Sequence, residues 1–138
     1  MKYLLLSVSL IYFLFPASSL ASVIHPIDKF HSDCLENKEN MTTAGMTNCT
    51  TQANKKWEDE VVVIYKKLQS HLNPDAKAAL ANSQEAWLVY KVQEYKSIEA
   101  IYKNIQGTMY IPMKAMKILS INKNRAMALN SYANAIGI

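Results

Sequence analysis

The sequence is poor in residues that interrupt helices and in residues that build reactive centres. It holds 3 glycines and 4 prolines among 138 residues, and the stretch from Ala76 to Asn104 contains neither. No useful length alternates with period two, so strands are excluded in favour of helices. The three histidines, His25, His31 and His71, lack the paired spacing of metal-binding helices, and no Glu is followed three residues later by His, as a di-metal bundle site requires. C-x-x-C-H for covalent haem, H-E-x-x-H, a Gly-rich phosphate loop and the G-x-S-x-G elbow are all missing. These absences argue against an enzyme and against any cofactor or metal. Glu58-Asp59-Glu60 offers carboxylates for acid–base work, but a charge run on a helix is ordinarily a solvated face.

Cysteine is also scarce, with 2 in the chain. Its compartment is set by the first residues. Met1-Lys2 leads into an apolar run from Tyr3 through Phe15, then Pro16 and the small-residue sequence ending Ser19-Leu20-Ala21. A basic start, a short apolar core and small residues before the cut predict a secretory signal peptide over residues 1–21. The run is too short for a membrane anchor, which needs about 20 apolar residues, and no later stretch could span a bilayer. In an exported chain Cys34 and Cys49, spaced C-x14-C, read as one disulfide. A zinc site would need two further ligands.

Neither charge sign dominates. Of 15 basic side chains only Lys2 lies in the leader, so 14 face 11 acidic ones afterwards, a net charge of +3 against +4 for the whole chain. Lysines alternate with acids, as in Lys55-Lys56 beside Glu58-Asp59-Glu60, which is not the dense basic stripe of a nucleic-acid binder.

What is abundant is helical periodicity. Pro26 suits a first turn, and Ile27, Phe30, Cys34 and Leu35 share a side, predicting a short helix from about Pro26 to Glu39. Asn40 to Gly45 breaks it. Met46, Cys49, Ala53, Trp57, Val61, Ile64, Leu68 and Leu72 then recur every three or four residues, predicting a helix from about Thr43, its cap, to Leu72. Asn73-Pro74-Asp75 stops it and starts the next. That third helix carries Leu80, Gln84, Trp87, Lys91, Tyr95, Ile98 and Tyr102 on one face, with Trp87 its expected core anchor. Ile105 to Pro112 forms a break with an apolar tip. A last helix from about Pro112 to Ala135 has Met116, Leu119, Lys123, Ala126, Met127 and Ala133 near one face. Methionines at such spacing are core filler more often than copper ligands. The expected fold is all-α: an antiparallel bundle of three long helices plus one short, disulfide-tied N-terminal helix, forming a single domain over residues 22–138.

Cys34; Thr43 with Met46 and Cys49; Val61, Tyr65 and Leu68; Leu80 before Gln84-x-x-Trp87-x-x-x-Lys91; and Arg125 with Leu129 together resemble the LprI-type lysozyme-inhibitor family of small secreted helical domains. The resemblance covers nearly all of the chain after the leader. It departs from the family where Lys91 replaces an Arg, Tyr95 a further Cys, Glu58 an Asp, and where no partner Cys stands near Met116–Ile118. Both members of a second cysteine pair are thus lost together. The resemblance implies a non-enzymatic periplasmic protein that binds and blocks a peptidoglycan-cleaving enzyme. Two other readings stand beside it, an immunity protein against a delivered cell-wall hydrolase and a non-inhibitory envelope interaction protein.

Gln84, Trp87, Lys91 and Arg125 are expected to serve the core and its edge, so contact with a protein partner is sought in loops, where backbone is accessible. Two segments qualify. One is the disulfide-tied stretch with Asp33, Glu36 and Glu39 around Cys34. The other is the apolar break with Gly107, Met109, Tyr110 and Ile111.

Overall fold

The computed structural model describes residues 24–138; the leader expected over residues 1–21 lies outside them. Four α-helices follow in order: α1 (Pro26–Glu36), α2 (Thr43–His71), α3 (Pro74–Tyr102) and α4 (Tyr110–Ala135), with one 3-10 turn at Lys38–Asn40 between α1 and α2. No strand occurs among the described residues. The expected all-α bundle of three long helices and one short, disulfide-tied helix is what the chain forms.

Each start is set by local chemistry. The His25 imidazole accepts from the Ile27 amide and Pro26 opens α1. Helix α2 is capped by Thr42, one residue earlier than expected, its hydroxyl accepting from the Gly45 amide at 2.9 Å. Asn73 caps α3, accepting from the Ala76 amide at 2.9 Å with Pro74 in the first turn. The Thr42 and Asn73 caps are worth about 1 kcal/mol each. Helix α4 begins at Tyr110, two residues before the sequence expectation. Pro112 therefore falls within its first turn, where its missing amide costs no intrahelical bond.

Helices α2 and α4 run parallel and form the centre, with α1 packed antiparallel to α2. Every residue expected on the inner face of α2 from Cys49 to Leu68 is buried. They meet Leu119, Ala126, Leu129 and Ala133 of α4, while Ile27 and Phe30 of α1 pack on the edge of the same cluster. Trp57, 1% exposed, is the largest enclosed side chain. At about 25 cal/mol per Å² of apolar surface, it anchors the core.

That corrects the expectation for Trp87. It lies on the face of α3 predicted for it, but α3 packs on the outside of the α1–α2–α4 unit and fully buries only Leu80 and Ile98. Trp87 is half-buried against the edge of the core. The face of α4 is the expected one only in part: Leu119, Ala126 and Ala133 are buried as predicted. Leu119, Ile121, Asn122, Ala126 and Leu129 point inward, whereas Met116 and Met127 are exposed. Asn122 takes an inward position because three polar partners await it.

Candidate functional site

The end of the bundle carrying the start of α2 is built by the disulfide. Cys34 at the close of α1 is bridged to Cys49 in the second turn of α2, with their Cα atoms 5.7 Å apart. The connecting segment folds back on α2, and the Asn40 side chain donates from Nδ2 to the Cys34 carbonyl at 2.9 Å. Gly45 permits that approach, since a Cβ there would lie 2.6 Å from the Asn40 Cα and carbonyl oxygen. The expected acidic cluster is partly cancelled. Asp33 is ion-paired with Lys29 at 2.8 Å, Glu36 accepts from the Ser32 hydroxyl at 3.0 Å, and exposed Glu39 follows exposed Lys38.

The apolar segment between α3 and α4 lies at the same end, because α3 returns the chain to where α2 began. Gly107 turns the backbone at φ +108°, a region L side chains rarely adopt. Met109 is 72% exposed, and Ile105, Tyr110, Ile111 and Met113 are exposed around it. Tyr110 and Ile111, expected in the loop, form the first turn of α4 and are thereby held on a rigid element. Ile111 also lines a shallow groove with Thr43, Thr47, Asn48 and Thr51 of α2. Through it the apolar segment joins the helix that carries Cys49. The two segments that the sequence offered separately are thus one contiguous end of the molecule.

The motif residues assemble elsewhere, in a polar seam that fastens α3 to α2 and α4. Arg125 donates from Nε to Gln84 Oε1 at 3.0 Å, and its guanidinium lies 5.8 Å from the Trp87 ring centre. Lys91 Nζ is 3.2 Å from Glu58 Oε1 and 5.2 Å from the Trp87 ring centre. Fully buried Asn122 donates through Nδ2 to Asn54 Oδ1 and to Tyr95 Oη, both at 2.7 Å. Burial pushes the Tyr95 phenol above its ordinary pKa, with Glu58 reinforcing the shift. Burial likewise lowers the Arg125 pKa from its usual value. Sequence reasoning missed the roles of Asn54, Tyr95 and Asn122. The available signal was that Asn54 and Glu58, four apart, lie beside Ala53 and Trp57 on the inner side of α2.

Two other polar contacts went unforeseen. Lys123 binds Asp28 at 2.7 Å, tying α4 to α1. Buried His31 meets Thr50 at 3.1 Å. The Thr50 hydroxyl donates to the Met46 carbonyl, so it accepts from His31 Nε2. Burial holds the His31 pKa below its ordinary value.

Among the described residues, no group of three or more His, Cys, Asp or Glu side chains could share a metal ion. No described helix is long and apolar enough to cross a membrane. The arrangement is therefore a rigid end with an exposed apolar tip, carried on a bundle whose third helix is fastened by polar contacts.

Among solved structures, the chain is similar to an uncharacterized protein from Burkholderia thailandensis known from its crystal structure, with 32% sequence identity and a TM-score of 0.79 over 83% of this chain. The chain spans 56% of that protein's length. No curated protein matches it. Residues 34–129 match the family described as lysozyme inhibitor LprI, a span that runs from the first bridged cysteine to the last large core leucine and takes in Glu58, Gln84, Trp87, Lys91 and Arg125. By that match the chain belongs to the LprI lysozyme-inhibitor family.

Proposed function

We propose that this protein acts in the periplasm by inserting its disulfide-tied end into the cleft of a peptidoglycan-cleaving enzyme. The observation that carries this reading is the exposed apolar cluster of Met109, Ile111 and Met113 in a chain of the lysozyme-inhibitor family. A cleft inhibitor needs a few anchors whose conformation is already fixed, because ordering them on binding would offset the affinity gained. Gly107, the first turn of α4 and the Cys34–Cys49 bridge supply that rigidity. Glycosidase clefts hold a pair of carboxyl groups at the cleavage point. Lys103, exposed at the entry to the apolar segment, offers a cation of matching sign.

The test is titration of the purified protein against a panel of muramidases and amidases acting on peptidoglycan, alongside Met109→Asp and Ile111→Asp variants. Inhibition of at least one enzyme is expected, weakened at least tenfold by either substitution with helicity unchanged. No effect on any enzyme at micromolar excess removes the proposal. Full inhibition by both variants moves the contact to another surface.

A further inference from the structure

The middle of α3 keeps apolar side chains on the side turned away from the bundle. Its inward face carries Gln84, Lys91 and Tyr95, which make the polar seam. Its outward face carries Leu88, Val89 and Val92, all exposed, with Val89 at 61%. A solvated helix face is ordinarily polar along its length, whereas here Glu85 and Lys96 flank an apolar centre. Here the outer face also has a regular seam, since Asn82, Glu85, Val89, Val92, Lys96 and Glu99 step alternately by three and four residues and all are exposed. That is the spacing by which two helices stay in contact along their length.

We propose that α3 is the contact of a symmetric dimer, pairing antiparallel with α3 of a second copy about a twofold axis near Tyr90 and Lys91. Charge fixes the direction. In a parallel pair Glu85 would face Glu85, Lys96 would face Lys96 and Glu99 would face Glu99, which is repulsive at each step. In the antiparallel pair Val89 meets Val92 of the other copy at the centre. Glu85 meets Lys96 on either side, and Asn82 offers its amide to Glu99, which is also ion-paired with Lys114 of its own copy at 3.0 Å. An isologous interface requires one patch to complement itself, and this sequence does so about its midpoint without placing like charges together. One helix pair gives an interface at or below the small end of the stable range, about 1,200 Å², so dissociation in the micromolar range is expected.

Antiparallel pairing sends the two disulfide-tied ends in opposite directions. From the axis to Tyr102 is about 12 residues, or about 17 Å at 1.5 Å per residue, which separates the two ends by roughly 35 Å along the helices. The dimer therefore leaves both ends open, and this inference does not depend on what they bind.

Sedimentation equilibrium of the purified protein from about 1 to 500 µM reads the association directly. A monomer–dimer equilibrium is expected, with Glu85→Lys and Lys96→Glu each weakening it at least tenfold and the double variant Glu85→Lys/Lys96→Glu restoring it. Val89→Asp should be monomeric with unchanged helicity and an unchanged hydrolase titration. A monomer at every concentration overturns the proposal, as does a double variant no tighter than either single one. Loss of hydrolase inhibition in a folded Val89→Asp protein, with the parent protein monomeric, would instead assign this face to the enzyme.

Discussion

Lys91 of α3 sets its ammonium 3.2 Å from Glu58 Oε1 of α2 and 5.2 Å from the centre of the Trp87 ring on its own helix. Lys91 and Glu58 are mostly enclosed, at 19% and 32% side-chain exposure, so water screens them only in part. Because α3 buries few apolar residues fully, this pair and the Arg125–Gln84 bond hold much of its position. Removing one partner leaves the other charge partly desolvated. Glu58→Ala and Lys91→Ala should each cost about 1–2 kcal/mol in urea unfolding, between the exposed and buried limits for ion pairs. The double variant should cost less than their sum by about 1 kcal/mol. Additive losses would show that the two side chains do not interact.

The two tryptophans separate the core from its edge. Trp57→Ala should cost about 3–5 kcal/mol or prevent folding, as deletion of an enclosed aromatic does. Trp87→Ala should cost less, because part of the ring stays in water and less apolar surface is lost from the interior. Chemical denaturation of both variants, with Trp57→Phe as a fallback that folds, measures the order. Equal costs would mean that α3 is packed as deeply as α2.

This contrast marks how far the sequence could be read. Periodicity identified the inner faces of α2 and α3 almost residue by residue, since every three- or four-residue step it named is buried or half-buried. It could not say which helix has neighbours on several sides, and so it gave no sign that Trp87, the expected anchor of α3, would be only partly buried while Trp57 is enclosed. The face of α4 was blurred for a related reason. Asn122 is buried because Asn54, Tyr95 and Glu58 reach it from distant positions, and no local pattern announces those partners. Nor did the two candidate loops declare that they share an end. That follows only when α2, α3 and α4 are taken as up, down and up, which returns the break after Tyr102 to the start of α2.

The disulfide end should respond as a unit. Closing a loop of this length is worth about 3 kcal/mol in the chain-entropy model, so reduction should lower the thermal midpoint while leaving most helicity below it. Gly45→Ala should act at the same place. Its added Cβ would sit 2.6 Å from the Asn40 backbone, which forces the connecting segment off α2 at a cost of about 1–3 kcal/mol. Thermal melts by circular dichroism, run with and without reductant, would contradict this if reduction left the midpoint unmoved.

His31 gives stability a sign with pH. Burial lowers its folded pKa, Lys123 adds to the effect and Asp28 opposes it. The unfolded chain therefore takes up a proton near pH 6.5, about the ordinary histidine value, while the folded protein still excludes it. Stability from this source is full above about pH 6.5 and declines as pH falls towards the folded pKa. His31→Gln keeps a donor for Thr50 but does not titrate, so its midpoint should fall less between about pH 7.5 and 5.5. An identical slope in both proteins would place the acid sensitivity elsewhere.

Net charge bears on which enzyme the proposed inhibitor would block. After removal of the expected leader the chain carries 14 basic and 11 acidic side chains, and lysozymes of the common animal type are strongly basic. Like net charges slow association at long range, and salt relieves the repulsion. Local acid at the contact surface could reverse this, and Asp33, Glu36 and Glu39 were the residues able to supply it. Yet Asp33 is paired with Lys29 at 2.8 Å and Lys38 precedes Glu39 in the chain, so Lys29, Asp33, Glu36, Lys38 and Glu39 together carry a net charge of only −1. Inhibition of a basic lysozyme should therefore be weak at low salt and improve as salt is added. A neutral or acidic bacterial hydrolase should bind more tightly, and salt should weaken the complex with an acidic one, because complementary charge acts mainly on the encounter rate. Inhibition constants and association rates for one enzyme of each kind, measured across a salt series, decide the matter. Nanomolar inhibition of the basic enzyme at low salt, abolished by Asp33→Asn/Glu36→Gln/Glu39→Gln, would show that the acid around Cys34 outweighs both Lys29 and the net charge.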